Sequence, residues 1–276
     1  MAKVKLSIIL AAYKEPYLNP TIDGLLKQSE LPKDELEIIC VFDGPDAPPA
    51  QDTLIKDPRV RYVFLGANRG PKGAYNAGIA ISRGEFIARL DSHCIFGNGY
   101  DRILTDACEP NMVMTARRYY LDPIKWKVML EEGYVDYEKL VIQDVGEGKR
   151  KFAGAKWNSR TKERADIEVD ETMAMQGSFW VCPRKWFREV CGDELMEGTL
   201  GPAYQDSVQV SMQTWKAGGK LMVCKSTWFA HKHRSFARSH NEGTKENPWK
   251  REDSWKGALD LWEDYYIKEL KIKWKI

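Results

Sequence analysis

The first hundred residues alternate between short apolar runs and stretches of helical period, and this pattern limits the fold more than any other feature. Val4 to Ala12, Glu37 to Phe42, Val60 to Leu65 and Glu85 to Leu90 read as strands. Apolar residues run through them instead of alternating with polar ones, as expected where both faces of a strand are covered. Thr21 to Gln28 reads as a short helix ending before Pro32. Pro71 opens a second helix through Ser82, and Gly84 closes it, the usual Pro-first, Gly-last asymmetry. Strands joined by helical crossovers pair in parallel, so the expected fold is α/β: a mixed, mainly parallel, Rossmann-like sheet flanked by helices.

The remainder is less regular. Asp122 to Val145 is mixed and acidic, and Gly148 to Arg164 lacks a period and reads as a mobile loop or irregular hairpin. Strand character returns at Ala174 to Val181 and at Leu221 to Cys224, with a helix over Asp206 to Ala217 closed by Gly218 and Gly219. After Pro248, Trp255, Leu259, Trp262, Tyr266 and Leu270 form a stripe at helical spacing that docks on the core. The last residues alternate, Leu270, Ile272, Trp274 and Ile276 against Lys271, Lys273 and Lys275, which fits an edge strand or a basic tail. The expected division is an α/β domain over 1–235, in two halves (1–110 and 111–235), and a helical extension over 236–276 packed on it.

With 42 basic and 40 acidic residues the formal charge is only +2, which excludes a uniformly basic nucleic-acid binder. The 43% hydrophobic content excludes a disordered chain. No run approaches the ~20 apolar residues of a spanning helix, and the start lacks a signal-peptide layout. The six cysteines show no C-x-x-C spacing and read as reduced, packed thiols of a cytoplasmic protein, of a bacterial or a phage-infected cell.

Polar residues gather at the carboxyl ends of the predicted strands, where open α/β sheets bind ligands. Asp43-Gly44 ends the second strand. A glycine-rich loop from Asn68 to Gly78 follows the third and enters a helix, a place where backbone N–H groups and Lys72 can meet phosphate. Asp91-Ser92-His93 ends the fourth. A carboxylate and an imidazole two residues apart suit Mn²⁺ or a similar ion; the same spacing also fits a turn aspartate followed by a buried histidine.

In this order the motifs resemble family 2-like glycosyltransferases of the GT-A fold. They are Ser7 to Glu15, Val41-Phe42-Asp43-Gly44, Asn68 to Gly78, and Arg83 to Ile87 ahead of Asp91-Ser92-His93. The Asp-Ser-His-Cys wording is similar to the catalytic domain of polypeptide N-acetylgalactosaminyltransferases. So are Gln176-Gly177-Ser178-Phe179, Pro183 to Phe187, Trp215 to Gly219 and His231 to Arg234. The resemblance implies a hexosyl- or N-acetylhexosaminyltransferase that uses a UDP-sugar and Mn²⁺ (or Mg²⁺). It implies Asp91, His93 and His231 as metal ligands. It places Ala12, Tyr13, Glu15, Asp43, Lys72, Gly73, Asn76, Ser92, Gly177 and Ser178 around the nucleotide-sugar. It makes Asp206 the acidic residue facing donor sugar or acceptor, a general base in inverting members. Trp180, Arg234, Lys156 and Arg160 are implied on the acceptor side. The sequence departs from the relatives at Pro202 to Ser207 and at Gln213, so acceptor and stereochemistry do not carry over.

Gly148 to Arg164 holds seven basic residues against one acid, and His231 to Arg251 six against two. With Trp157, Phe236 and Trp249 interleaved, this composition suits a polyanionic acceptor such as DNA bearing a 5-hydroxymethylpyrimidine. The competing reading pairs these cations with neighbouring acids. A cell-surface glycan or polypeptide acceptor also fits the resemblance. Different classes that remain open are a sugar-nucleotide pyrophosphorylase, against which Ala12 to Pro16 replaces a glycine-rich first loop, and a non-catalytic nucleotide-sugar-binding module.

Overall fold

The computed structural model describes residues 3–201, 203–233 and 251–276. The first half runs β1 (Leu6–Ala12), α1 (Leu18–Gln28), β2 (Leu36–Phe42), β3 (Val60–Phe64), α2 (Gly70–Ile81), β4 (Phe86–Asp91), β5 (Cys94–Phe96) and α3 (Tyr100–Ala107). The second half runs β6 (Met112–Asp122), β7 (Lys127–Val135), β8 (Glu138–Asp144), β9 (Arg150–Lys156), α4 (Asn158–Glu163), β10 (Val169–Glu171), β11 (Phe179–Pro183), α5 (Arg184–Cys191), α6 (Glu197–Leu200), α7 (Asp206–Lys216) and β12 (Lys220–His231). The chain closes with α8 (Arg251–Tyr265), a π-helical turn over Tyr266–Leu270, and α9 (Lys271–Trp274).

The main sheet has the order β10-β12-β6-β11-β4-β1-β2-β3, with β5 on β12 and β7 on β6. Pairing of β1 with β2 and β4, of β2 with β3, and of β6 with β12 is parallel; β11 inserts antiparallel between β4 and β6. The alternation expected from the apolar runs is therefore present. Successive residues of β1 feed opposite cores: Ile9 joins α2, α5, α7 and α8 on one face, while Ile8 and Leu10 join α1 and α3 on the other. Gly78 lets α2 lie directly on β1, because a Cβ there would collide with Ile9 Cγ2.

Several sequence expectations are corrected. The strand at Leu221 extends to His231, past the polar Lys225 and Ser226, which occupy an irregularity between Cys224 and Trp228. Strand character expected from Ala174 starts only at Phe179; before it Met175 N–H bonds to Ser211 Oγ instead of a neighbouring strand. The segment after Gly148, expected as a loop or an irregular hairpin, is a regular hairpin strand paired with β8, followed by α4. The alternating tail is neither edge strand nor loose tail. It continues the α8 stripe: Trp262, Tyr266 and Leu270 are buried in the α2 face core, Tyr266 Oη donates to Leu140 O at 2.8 Å, and Lys273 Nζ lies 3.8 Å from the Trp215 ring. Winding buries residues spaced by four, which outweighs a two-residue alternation that no strand edge satisfies.

All six cysteines are buried free thiols, and among the described residues no helix is long and apolar enough to cross a membrane. Trp262→Ala is expected to cost about 3–5 kcal/mol in urea unfolding. A loss below about 1 kcal/mol would show that α8 is not part of the core.

Candidate active site

The ends of β4 and β12 and the start of α2 open into a crevice of about 570 Å³ lined by Lys72, Tyr75, Arg89, Asp91, His93 and His231, and by Gly177, Ser178 and Asp206 opposite. Parallel pairing sets Ala11 beside Asp91, and β12 sets His231 beside Cys94. A chain bend after Asp91 brings His93 back. It is held by Ser92 Oγ donating to Ala11 O at 2.6 Å, Thr21 Oγ1 donating to Ser92 O, and Cys94 N donating to Thr21 Oγ1.

Asp91, His93 and His231 offer ligand atoms all within 4.8 Å of one another. His93 Nδ1 lies 3.2 Å from Glu15 Oε2. A carboxylate there favours the tautomer with the proton on Nδ1, leaving the Nε2 lone pair facing the cluster. His93 Nε2 is buried without a hydrogen-bond partner, as are both ring nitrogens of His231. His231 Nε2 sits 3.2 Å from Asp91 Oδ2 without the alignment of a hydrogen bond. Burial pushes His231 down to about 3, against the pull of Asp91, so the ring is neutral near pH 7. Burial opposes ionisation of Asp91, but Arg89 and the two imidazoles outweigh it and hold the carboxyl well below its usual range. Orphaned buried nitrogens around an ionised carboxylate fit a divalent ion of the manganese type.

Arg89 is the functional residue that sequence reasoning missed. It is buried in β4, with Nη1 2.9 Å from Asp91 Oδ1, Nε 3.0 Å from Asp206 Oδ2, and its guanidinium 4.6 Å from the Tyr75 ring centre. Burial works against its charge, and Asp91, Tyr75 and Asp206 prevail. The signal was present: a charged residue inside an otherwise apolar strand requires a buried partner. Tyr75, also missed, donates from Oη to Leu90 O at 2.9 Å and lies 3.3 Å from Asp91 Oδ1. Asp206 opens α7 after two non-glycine residues at positive φ, Tyr204 (66°) and Gln205 (58°). That backbone is strained and turns the carboxylate toward Arg89.

The expected nucleotide residues divide. Gly177 and Ser178 line the crevice, and Ser178 Oγ is buried without a partner. Asp43 accepts Arg69 N–H at 2.7 Å and pins the turn before α2; burial pushes its carboxyl up to about 6, against hydrogen bonds from the Arg69 and Gly70 amides. Tyr13 Oη bonds to Asp46 at 3.0 Å, and Ala12 ends β1. Glu15 and Ser92 position the His93 bend instead of facing the crevice. Lys72 lines the crevice but also donates to Met196 O and Leu200 O at 3.3 Å, and burial lowers it to about 8 against the attraction of Asp206 and Glu197.

Asn76 and Gly73 have packing partners. Asn76 bonds to Leu195 and Glu197, and a Cβ at Gly73 would stand 2.5 Å from Arg69 Cβ, so both serve the packing of α2 against 195–200. Three residues expected on the acceptor side also have partners within the fold. Trp180 is fully buried and stacks on Phe187, with ring centroids 5.7 Å apart. Arg160 donates to Glu171 O at 2.8 Å and pairs with Asp170. Lys156 Nζ lies 4.7 Å over the Tyr120 ring, outside the crevice lining. Arg234, Phe236 and Trp249 lie outside the described residues. Of the basic segment, Lys149 pairs with Glu147, Arg150 with Glu263 and Arg164 with Asp170. Lys151, with Arg118 and Arg251, remains at the crevice.

Comparison with known proteins agrees with this architecture. The sequence is 53% identical over 58 residues to the succinoglycan biosynthesis protein ExoO of Rhizobium meliloti, 21% of this chain and 17% of that protein. It is 30% identical over 144 residues to an uncharacterized glycosyltransferase of Haemophilus influenzae, 49% of this chain and 56% of that one. The chain thus spans less than two thirds of either relative. The structure overlays that of GalNAc-T7 with UDP, GalNAc and Mn²⁺ with a TM-score of 0.71 at 15% identity, over 98% of this chain and 50% of the other. S. aureus TarS 1-349 overlays with a TM-score of 0.52 at 14% identity, over 83% and 60%. Likeness at such identity establishes the GT-A fold. The sequence model of Glycosyl transferase family 2 matches residues 7–191, two thirds of the molecule. On that match the chain belongs to glycosyl transferase family 2.

Proposed function

We propose that this chain is a divalent-metal-dependent glycosyltransferase that moves a sugar from a UDP-sugar to a hydroxyl acceptor. The observation that carries the reading is the convergence of Asp91, His93 and His231 at the strand ends, with their donor nitrogens orphaned. The GalNAc-T7 structure that shares the fold was solved with UDP, GalNAc and Mn²⁺. Those three residues would hold Mn²⁺ or Mg²⁺, which when bound supplies Lewis-acid stabilisation of the leaving diphosphate.

The chain's own groups do the rest. Glu15 fixes the ring and tautomer of His93. Arg89 keeps Asp91 ionised. Asp43 takes the nucleoside end, as an acceptor for N–H or O–H groups of base and ribose, with Ala12 and Tyr13 beside it. Ser178 Oγ and the Gly177 backbone face the sugar, and Lys72 adds positive charge near the diphosphate. Arg89 engages Oδ2 of Asp206, leaving Oδ1 outside that pair to receive the acceptor hydroxyl proton. Lys151 and Arg251 flank the Trp255 ring at 5.2 and 5.3 Å, a cationic and aromatic wall that favours an anionic acceptor. DNA with hydroxymethylated pyrimidines is one such acceptor.

In a panel of UDP-sugars, UDP release is expected only with Mn²⁺ or Mg²⁺ and to stop on chelation. Full turnover by Asp91→Ala in metal-free buffer would sink the reading. Arg89→Met leaves two carboxylates without their buried cation and is expected to cost about 3–5 kcal/mol. Mn²⁺ should recover part of that loss by neutralising Asp91, so an equal loss with and without Mn²⁺ would count against the site.

Asp43 predicts a pH effect. Its raised folded-state value means that its stabilising contribution is complete below the unfolded carboxyl value and is lost as pH rises through about 6. Binding has the opposite sense, because only the ionised carboxylate accepts without restriction. Uridine, which has no phosphate to titrate, should bind about tenfold more weakly one pH unit below that midpoint. The Asp43→Asn protein should show no such slope; an identical slope would exclude Asp43 from the nucleoside site.

A further inference from the structure

A second cavity, of about 730 Å³, lies between α1, the turn of the β6–β7 hairpin and the β5–β12 strand pair. It is separate from the crevice yet close to it. Trp228 precedes His231 by three residues on β12, roughly 10 Å along a strand, and Phe96 follows His93 by three. We propose that this cavity binds a pyranose unit of a neutral glycan.

The lining has the chemistry of a sugar site. Trp126 and Trp228 present indole rings, while Asn19, Gln28 and Asn98 contribute amides. The C–H face of a pyranose packs on an indole, whose ring face is electron-rich, and amides bond the equatorial hydroxyls. Asn19 Oδ1 is buried without a hydrogen-bond partner. Among the described residues the lining holds one carboxylate, Asp23, and no lysine or arginine. This lining suits a neutral ligand better than a phosphate, in contrast to the crevice with Lys72, Arg89, Arg118, Lys151 and Arg251. The volume falls in the range of small-ligand pockets.

Three local features build the cavity at the expense of backbone stability. Trp126 has φ of 52°, unusual for a bulky side chain, and Tyr17 stacks on it at 5.4 Å with rings 7° from parallel. Gly97 admits the Trp228 indole, since a Cβ there would meet Nε1 at 2.7 Å. Gly24 sits inside α1, where glycine is costly, yet a Cβ would meet nothing within 4 Å. Packing does not call for this glycine, whereas an incoming ligand does.

The binding does not rest on the proposed glycosyl transfer. Saturation-transfer NMR with cellotetraose, maltotetraose and chitotetraose, without UDP or metal, tests it. At least one should bind with a millimolar constant, equally to wild type and to Asp91→Ala. Gly24→Met, a better helix former that fills the cavity, and Trp126→Asn, which tolerates positive φ, should each weaken binding about tenfold or more. Gly24→Met should keep or raise the thermal midpoint. Sugar binding in a protein that never turns over would overturn the transferase reading and leave this site standing. No binding of any tetrasaccharide up to about 10 mM, or undiminished binding by Gly24→Met, would overturn the site.

Discussion

A buried guanidinium holds the centre of this molecule together. Arg89 lies on β4 between two carboxylates from distant parts of the chain, Asp91 on its own strand and Asp206 at the start of α7. An unpaired charge at that depth would be untenable, and so would either carboxylate without it. The pair of ion contacts therefore couples the βαβ half of the sheet to the second half of the chain. The same contacts keep Asp91 ionised. Tyr75, from α2, closes the arrangement on the ring face.

Around that centre, each element has a positioning task. Parallel register delivers Asp91 beside Ala11, and antiparallel β5 delivers His231 beside the residue after His93. Glu15, in the turn after β1, sets the histidine tautomer. The glycine-rich loop has a packing task as well. Asn76 and Arg69 spend their hydrogen bonds and charge on Leu195 and Glu197, so the loop anchors the segment that carries the chain toward Asp206.

Much of the fold was legible because it follows from the placement of apolar residues. The runs at β1 to β4 are buried on both faces and have no competing period. The same rule located Asp43 and Asp91 at strand ends. The alternating tail was misread because its period came from four residues, while the preceding stripe with buried Trp262, Tyr266 and Leu270 governs the winding. The length of β12 was hidden by Lys225 and Ser226 at its irregularity. The packing of Trp180 on Phe187 and of Arg160 on Glu171 and Asp170 was not legible, because residue type alone does not say which face of a strand or helix turns inward. Arg89 was legible in principle, but its partners lie 2 and 117 residues away along the chain, and only the folded arrangement brings the second one near. The family match ends at residue 191, so Asp206 and His231, which complete the site, lie beyond it.

The central claim is that Arg89, Asp91, His93 and His231 together form a cation site with two imidazole ligands. Pulsed electron paramagnetic resonance of bound Mn²⁺, in protein with ¹⁵N-labelled histidine, tests it directly. The account predicts nitrogen couplings from two imidazoles, with one lost in His93→Ala and one in His231→Ala. Bound Mn²⁺ without histidine nitrogen coupling would contradict it.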